Sequence, residues 1–435
     1  MSSCLHASVA GLELIDRKRR LKGWGKQSRM WCIEANITVS TLKRFRHRTP
    51  ITFDLFVSIV EAVGISDWKT VAEVDLSELE VTTNLILHEM PEPPQLCGRK
   101  EELIQLFNYV MQSRLVFLWG MGGIGKTSLA AQLVDNFAVP DRPHPSAFKR
   151  IVWRSLHAGS SLDRFWSQLD LDLGIMPQVN RDASYNWSDS SRILEKLQAE
   201  RTLIVIDVVE SAQIERATNV PPWEPMDRDR YCQWFAQLSL PKHNSCILVL
   251  TREKSDEVQQ LEALNPAIRS IKLEGLKLGG IELLEQHNLK PETDAWRALI
   301  NLYSGNPYAL SMIATLINDQ FGGSARELLN MGTHILGKME IVISERIRHI
   351  TDDEKSILIT LASAQNPMSR DVLRSQLPEI SASSTVEAMA SLERKCLLEM
   401  MAEQEQVLFS LQPMVMKFVR KHWIYKVTSK KVVTQ

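Results

Sequence analysis

The chain has 435 residues, with 51 Lys and Arg against 52 Asp and Glu, and 44% of its residues are hydrophobic. That length exceeds one ordinary domain and predicts about two to four, and the near-neutral charge gives no overall bias toward nucleic acid or membrane. Six scattered cysteines without C-x-x-C spacing argue against a disulfide scaffold or a zinc site. Because neither an apolar leader nor a run of ~18 apolar residues is present, a cytoplasmic protein is expected.

Residues 1–75 read as a first, basic unit, with twelve Lys or Arg against six acids within residues 1–70. Gln27–Glu34 is predicted to be a helix and Asn36–Val39 a turn. Ser40 is expected to cap a second helix, Thr41–Arg48, which Pro50 stops. Thr52 is expected to cap a third helix, with Phe53, Phe56, Ile59, Val60 and Val63 on its apolar face and Gly64 at its end. Short helices joined by a tight turn predict a helix-turn-helix. On its second helix Lys43, Arg44, Arg46 and Arg48 are candidate phosphate contacts in a DNA groove. A basic face on a protein-interaction bundle predicts the same charge. Trp24, Trp31, Phe53 and Phe56 read as the core of this unit.

Residues 76–95 turn acidic, then proline-rich (Met90-Pro91-Glu92-Pro93-Pro94), and read as a linker. Over residues 96–255, continuous apolar strands (Leu115–Trp119, Leu203–Ile206, Cys246–Leu250) alternate with helices, the pattern of an α/β domain around a buried parallel sheet. Residues 256–335 lose the strand signal and read as helices. Residues 336–425 read as three helices and a hairpin, Leu397–Met401 and Val407–Leu411 about the turn Glu403-Gln404-Glu405, which suits a winged helix. Residues 426–435 form a basic tail.

Gly120-Met121-Gly122-Gly123-Ile124-Gly125-Lys126-Thr127 matches G-x-x-x-x-G-K-[ST] and stands between an apolar strand and a predicted helix, Ser128–Phe137. This is a P-loop. Its glycines let successive N–H groups face phosphate oxygens, and the helix N-terminus favours negative charge. ATP or ADP is expected on Gly120, Gly122, Gly123, Ile124, Gly125, Lys126, Thr127 and Ser128, with Lys126 on the β- and γ-phosphates and Thr127 on Mg²⁺. Asp207, at the end of the second apolar strand, is the expected Mg²⁺ partner, through water. Arg252, at the tip of the third, is placed to contact the γ-phosphate. Gly305-Asn306-Pro307 precedes an apolar helix, an ordinary place for proline.

In order along the chain, Cys97-Gly98-Arg99-Lys100-Glu101-Glu102-Leu103, the P-loop, Asp207, Thr251-Arg252 and Gly305-Asn306-Pro307-Tyr308-Ala309-Leu310 resemble the NB-ARC family of STAND signalling NTPases. The resemblance covers residues 96–425. Lys26-Gln27-Ser28, Trp31-Cys32 and Thr41-Leu42-Lys43-Arg44-Phe45 resemble the small N-terminal domain of cyanobacterial-type members. The resemblance implies a nucleotide domain, a helical domain and a winged helix closed over ADP, opened and self-associating on exchange for ATP. It places Gly98 and Arg99 near the nucleotide, makes Arg252 the sensor arginine and packs Pro307 on adenine.

Three departures bear on activity. Val208 stands where the family carries a second acid, so hydrolysis is expected to be slow, with Glu210 as a substitute. Leu411-Gln412-Pro413 stands where the family carries Met-His-Asp, and Pro413 supplies neither a carboxylate nor an N–H. The family's repeat sensor does not appear before Gln435. The leading expectation is a nucleotide-controlled switch, at most a slow ATPase, with residues 1–75 as an output for a protein partner. An ATP-modulated DNA-binding regulator is the alternative. No second constellation supports a metabolic kinase.

Overall fold

The computed structural model describes residues 4–424 apart from 27, 36, 50, 66–67, 69–70, 72–82, 139–146, 158–161, 176–189, 210–232, 333–336, 338, 349, 365 and 404–405. Gln27, Asn36, Pro50, Glu210, the turn residues Gln404 and Glu405 and the tail 426–435 therefore lie outside the described residues. The chain divides into two compact units, Met1–Thr82 and Thr83–Gln435.

In the first unit the helices are Val9–Leu21, Arg29–Glu34, Val39–Arg46 and Phe53–Ala62, and the strands β1 (Cys4–Leu5) and β2 (Ile51–Thr52) pair antiparallel. Ile15, Trp31, Leu42, Phe45, Phe56 and Ile59 form its core. Trp31 donates its indole N–H to the Ile59 carbonyl at 3.2 Å, and Trp24 stacks on it with ring centroids 6.3 Å apart. The expected frame of the second helix is corrected here. Its cap is Thr38, whose hydroxyl accepts from the Thr41 N–H at 3.1 Å, and Ser40 lies inside the first turn. The apolar pair Leu42 and Phe45 is buried in either frame, so periodicity could not choose between two good capping residues. The helix also stops at Arg46, and Arg48 falls beyond it at φ 56°.

The second unit is built on a six-stranded parallel sheet in the order β3-β5-β6-β7-β4-β8. These strands are β3 (Asn84–Ile86), β4 (Leu115–Trp119), β5 (Arg150–His157), β6 (Thr202–Val209), β7 (Cys246–Thr251) and β8 (Ile268–Lys272). β4 is apolar at every position and β7 at all but its last, Thr251, because both faces of the sheet are covered, whereas the apolar run of β6 is interrupted at Asp207. Side-chain alternation sends Val116 and Leu118 of β4 to one face, against helices Lys100–Gln112 and Lys126–Ala138, and Leu115 and Phe117 to the other, against Phe165, Trp166, Ile193 and Trp234.

Both edge strands correct the sequence reading. β3 comes from the stretch read as linker, and β8 lies beyond the boundary set at residue 255. Edge strands are covered less completely: Asn84 and Leu85 are exposed, and β8 reads Ile-Arg-Ser-Ile-Lys, so neither carries the unbroken apolar signature.

Helices Gly279–Gln286, Thr293–Leu302, Pro307–Phe321 and Ala325–Asn330 follow, then a connecting helix, Met339–Arg348. The last region runs Asp352–Ser363, β9 (Met368–Ser369), Arg370–Gln376, Ala382–Arg394, β10 (Leu398–Glu403), β11 (Gln406–Leu411), Pro413–Val419 and a π-helical turn, Arg420–Ile424. The hairpin is where it was expected, in a three-stranded antiparallel sheet of order β10-β11-β9. Four helices and a short strand precede it rather than three helices. One hydrophobic core joins a face of the parallel sheet to these later helices through Ile313, Ile343, Ile357, Leu392 and Phe418.

Candidate functional site

The P-loop leaves β4 at Trp119 and enters its helix at Lys126. Gly123 and Gly125 hold φ of 77° and 101°, which only glycine adopts without strain. Small size matters equally at the crown. A Cβ on Gly122 would sit 2.8 Å from Val342 Cγ1, and one on Gly123 would sit 2.7 Å from Tyr308 Cβ. The loop is thus covered by two elements far away in sequence. Asn306 donates from Nδ2 to the Gly122 carbonyl at 3.0 Å, while its Oδ1 accepts from the Ala309 N–H at 3.1 Å and caps Pro307–Phe321. The Tyr308 N–H donates to the Gly123 carbonyl at 3.3 Å. Asn306 is wholly buried. Sequence gave it no special mark, since an Asn-Pro helix start is ordinary and its second partner lies 184 positions away.

Lys126 Nζ donates to the carbonyls of Gly120 and Met121 at 2.9 and 3.2 Å. Thr127 Oγ1 donates to Asp207 Oδ2 at 2.9 Å, across β7 from the loop. A hydroxyl and a carboxylate in contact at a phosphate loop are hard oxygen donors of the kind Mg²⁺ takes. Mg²⁺ completes its octahedron with water and substrate phosphate rather than a protein cage. Among the described residues no group of three or more His, Cys, Asp or Glu side chains could hold a metal, so these two oxygens are the protein's candidate share. Val208 is partly buried against the second face of the sheet, so an apolar side chain packs where an acid was sought.

Arg252 follows β7 directly, and its Nη1 pairs with Glu345 Oε2 at 3.2 Å. Arg346 donates to the Arg252 carbonyl from one guanidinium nitrogen and to the Lys395 carbonyl from the other. Helix Met339–Arg348 therefore touches the P-loop through Val342 and Arg252 through Glu345. Its first turn is held by the last described segment, where Lys421 and His422 contact the Glu340 carboxylate at 2.8 and 2.6 Å.

Arg99 is buried. It donates to Glu102, to the Ile124 carbonyl at 3.1 Å and to the Glu274 carbonyl at 2.6 Å, so it ties the loop to the segment leaving β8. Gly98 packs directly on Gly279. Ser128 lies in the first turn of the P-loop helix, and Pro307 is the first residue of the helix that Asn306 caps.

A cavity of about 650 Å³ adjoins the loop, lined among others by Met121, Ile124, Leu276, Ile300, Glu399 and Gln412. Ser304 Oγ and Gln412 Oε1 are buried there without a hydrogen-bond partner. Burial pushes the Glu399 carboxyl up against the opposing pull of Lys272 and a hydrogen bond from Gln412.

The sequence neighbourhood can now be compared. Residues 99–226 match the NB-ARC domain family. The chain carries an NB-ARC domain. An uncharacterized WD repeat-containing protein of Nostoc sp. is 27% identical over 97% of this chain, which spans 36% of that relative's length. A probable disease resistance protein of Arabidopsis thaliana is 27% identical over 31% of the chain and 17% of its own length. Among solved structures, a Walker-type ATPase of Pyrococcus abyssi covers 77% of the chain at 15% identity with a TM-score of 0.49 and is itself covered over 99%. A STAND protein with a tetratricopeptide repeat sensor from Pyrococcus horikoshii covers 77% at 19% identity with a TM-score of 0.35 and is covered over 44%. The NB-ARC match begins at Arg99, and no helix among the described residues is long and apolar enough to cross a membrane.

In the N-terminal unit the four candidate phosphate contacts have different surroundings. Lys43 and Arg44 are exposed. Arg46 pairs with Asp16 at 2.7 Å, and Arg48 donates to the Ala7 carbonyl at 2.9 Å.

Proposed function

We propose that the chain is a cytoplasmic nucleotide-controlled signalling switch. ADP or ATP with Mg²⁺ occupies the P-loop at Gly120, Gly122, Gly123, Ile124, Gly125, Lys126, Thr127 and Ser128. Thr127 and Asp207 share the ion, Arg252 reads the γ-phosphate, and Pro307 packs on the base. The observation that carries this reading is the meeting of Asn306, Tyr308, Val342 and the Arg252–Glu345 pair around one glycine loop. A ligand that reshapes that loop makes different contacts with the later regions in its two states, which is what any switch requires. The order helix, strand, helix, helix, hairpin over residues 352–411 supports a winged helix as the moving part, with residues 256–335 as the helical domain. The apolar Val208 supports slow hydrolysis.

Light scattering tests the reading. With a slowly hydrolysed ATP analogue and Mg²⁺ the wild type should form a larger assembly than with ADP, and Lys126→Ala should stay at its starting mass. A mass indifferent to nucleotide would remove the oligomeric switch.

The exposed Lys43 and Arg44 support a second reading, an ATP-modulated DNA-binding regulator acting through the N-terminal helix-turn-helix. Unchanged DNA affinity in Lys43→Ala/Arg44→Ala would count against it and leave a protein partner for residues 1–75.

A further inference from the structure

The Arg252 side chain lies between the P-loop crown and a carboxylate. Its guanidinium lies beside the P-loop crown: a Cβ on Gly122 would sit 3.8 Å from its Nε and 4.0 Å from its Cζ. Its Nη1 is also 3.2 Å from Glu345. Glu345 is one helical turn after Val342, so the helix face that packs on Gly122 is the face that presents the carboxylate. Arg346 fixes the backbone at the same point by bonding the Arg252 carbonyl. With the main chain held, only the side chain of Arg252 can change partner. Both members of the pair are largely covered, at 20% and 14% side-chain exposure, so water screens their attraction only weakly.

We infer that Glu345 sets the preference of this site between nucleoside diphosphate and triphosphate. A diphosphate has no γ-phosphate to attract Arg252 and leaves the ion pair whole. A triphosphate draws Arg252 from Glu345, so the lost ion pair is set against the new contact with the γ-phosphate. Glu345 therefore opposes triphosphate binding while leaving diphosphate binding nearly untouched. It touches neither nucleotide and acts through Arg252 as a specificity-determining residue. The inference rests on the reading of the P-loop as a nucleotide site in which Arg252 approaches the γ-phosphate.

Calorimetric titration of the full chain with Mg-ADP and with Mg-AMP-PNP measures this preference. Glu345→Gln keeps the shape of the side chain and the Val342 contact. It should tighten the triphosphate analogue roughly ten-fold while moving ADP less than about two-fold. In an Arg252→Ala background the same substitution should change neither. An analogue-to-ADP ratio that Glu345→Gln leaves at the wild-type value overturns the inference, as does an effect that persists without Arg252. Should Glu345→Gln melt early, Glu345→Asp, which withdraws the charge by one methylene, must shift the ratio in the same direction. If Lys126→Ala abolishes binding of both nucleotides while the Glu345 variants do nothing, the nucleotide site stands and this inference alone falls. A wild type that binds neither nucleotide ends both.

Discussion

At the P-loop, Thr127 and Asp207 are 80 positions apart and joined by one hydrogen bond. If both serve Mg²⁺, Asp207→Asn removes a formal charge and keeps the shape. Nucleotide affinity should then fall roughly ten-fold in Mg²⁺ and become nearly equal with and without the ion. Titrations of ADP with Mg²⁺ and with EDTA would check this, and a variant that keeps full Mg²⁺ dependence would exclude Asp207. Asp16, in the N-terminal unit, shows the opposite use of a carboxylate. Burial by itself would raise it, but the Arg46 and Arg19 guanidiniums beside it hold it well below the usual carboxylate range. A group depressed in the folded state stabilises the fold above its unfolded value of about 3.9 and loses that contribution as pH falls further. Unfolding of this unit should therefore ease between about pH 4 and pH 2. Asp16→Asn should flatten that slope and cost about 1–3 kcal/mol at neutral pH, read by denaturant titration at both pH values. An unchanged slope would put the acid sensitivity elsewhere.

The elements around the site were legible to different degrees, for physical reasons. The P-loop could be read residue by residue because its backbone needs glycine at fixed spacing and a Lys-Thr helix start. Its strand and helix fell where the apolar run and the motif put them. What roofs the loop could not be read, because the Asn306 to Gly122 bond joins positions with no local pattern in common. The same holds for Arg46, whose partner Asp16 lies 30 positions earlier. Periodicity shows which residues of a helix are buried, whereas the partner of an exposed charge depends on the tertiary fold. Asn306 is where a local role and a distant one coincide. Asn306→Ala removes a helix cap, about 1 kcal/mol, together with a buried bond to the Gly122 carbonyl. Thermal unfolding should show the loss, and nucleotide affinity should weaken with it as the crown loosens. Lower stability with full affinity would mean that the loop holds its shape without this tie.

Across the second unit, the packing explains why a motion would be confined. The parallel sheet is sealed on both faces by apolar clusters. Beside the apolar core that the later helices share with the sheet, the contacts just past the end of β7 are polar: Arg252 with Glu345, Arg346 with two carbonyls, and Arg394 with Asp256 at 2.9 Å. Polar contacts can be exchanged for bonds to phosphate or water at modest net cost, whereas apolar core cannot be opened so readily. This is why the mass change expected with the ATP analogue, absent in Lys126→Ala, should leave the sheet intact.

The ten-residue helix Met339–Arg348 has one more consequence, which follows from its being fastened at both ends. An α-helix of that length is a stiff rod of about 15 Å. One end is tied through Glu340 to Lys421 and His422, and the other bears on Arg252. A rod fastened in this way transmits displacement as a lever does. A load on the turn Arg420–Ile424 would arrive at Arg252 as a small rotation, and a shift at the P-loop would return along the same path. Whatever engages residues 420–424 would thus hold the far end of the lever and could tighten or release the grip on nucleotide without approaching the site.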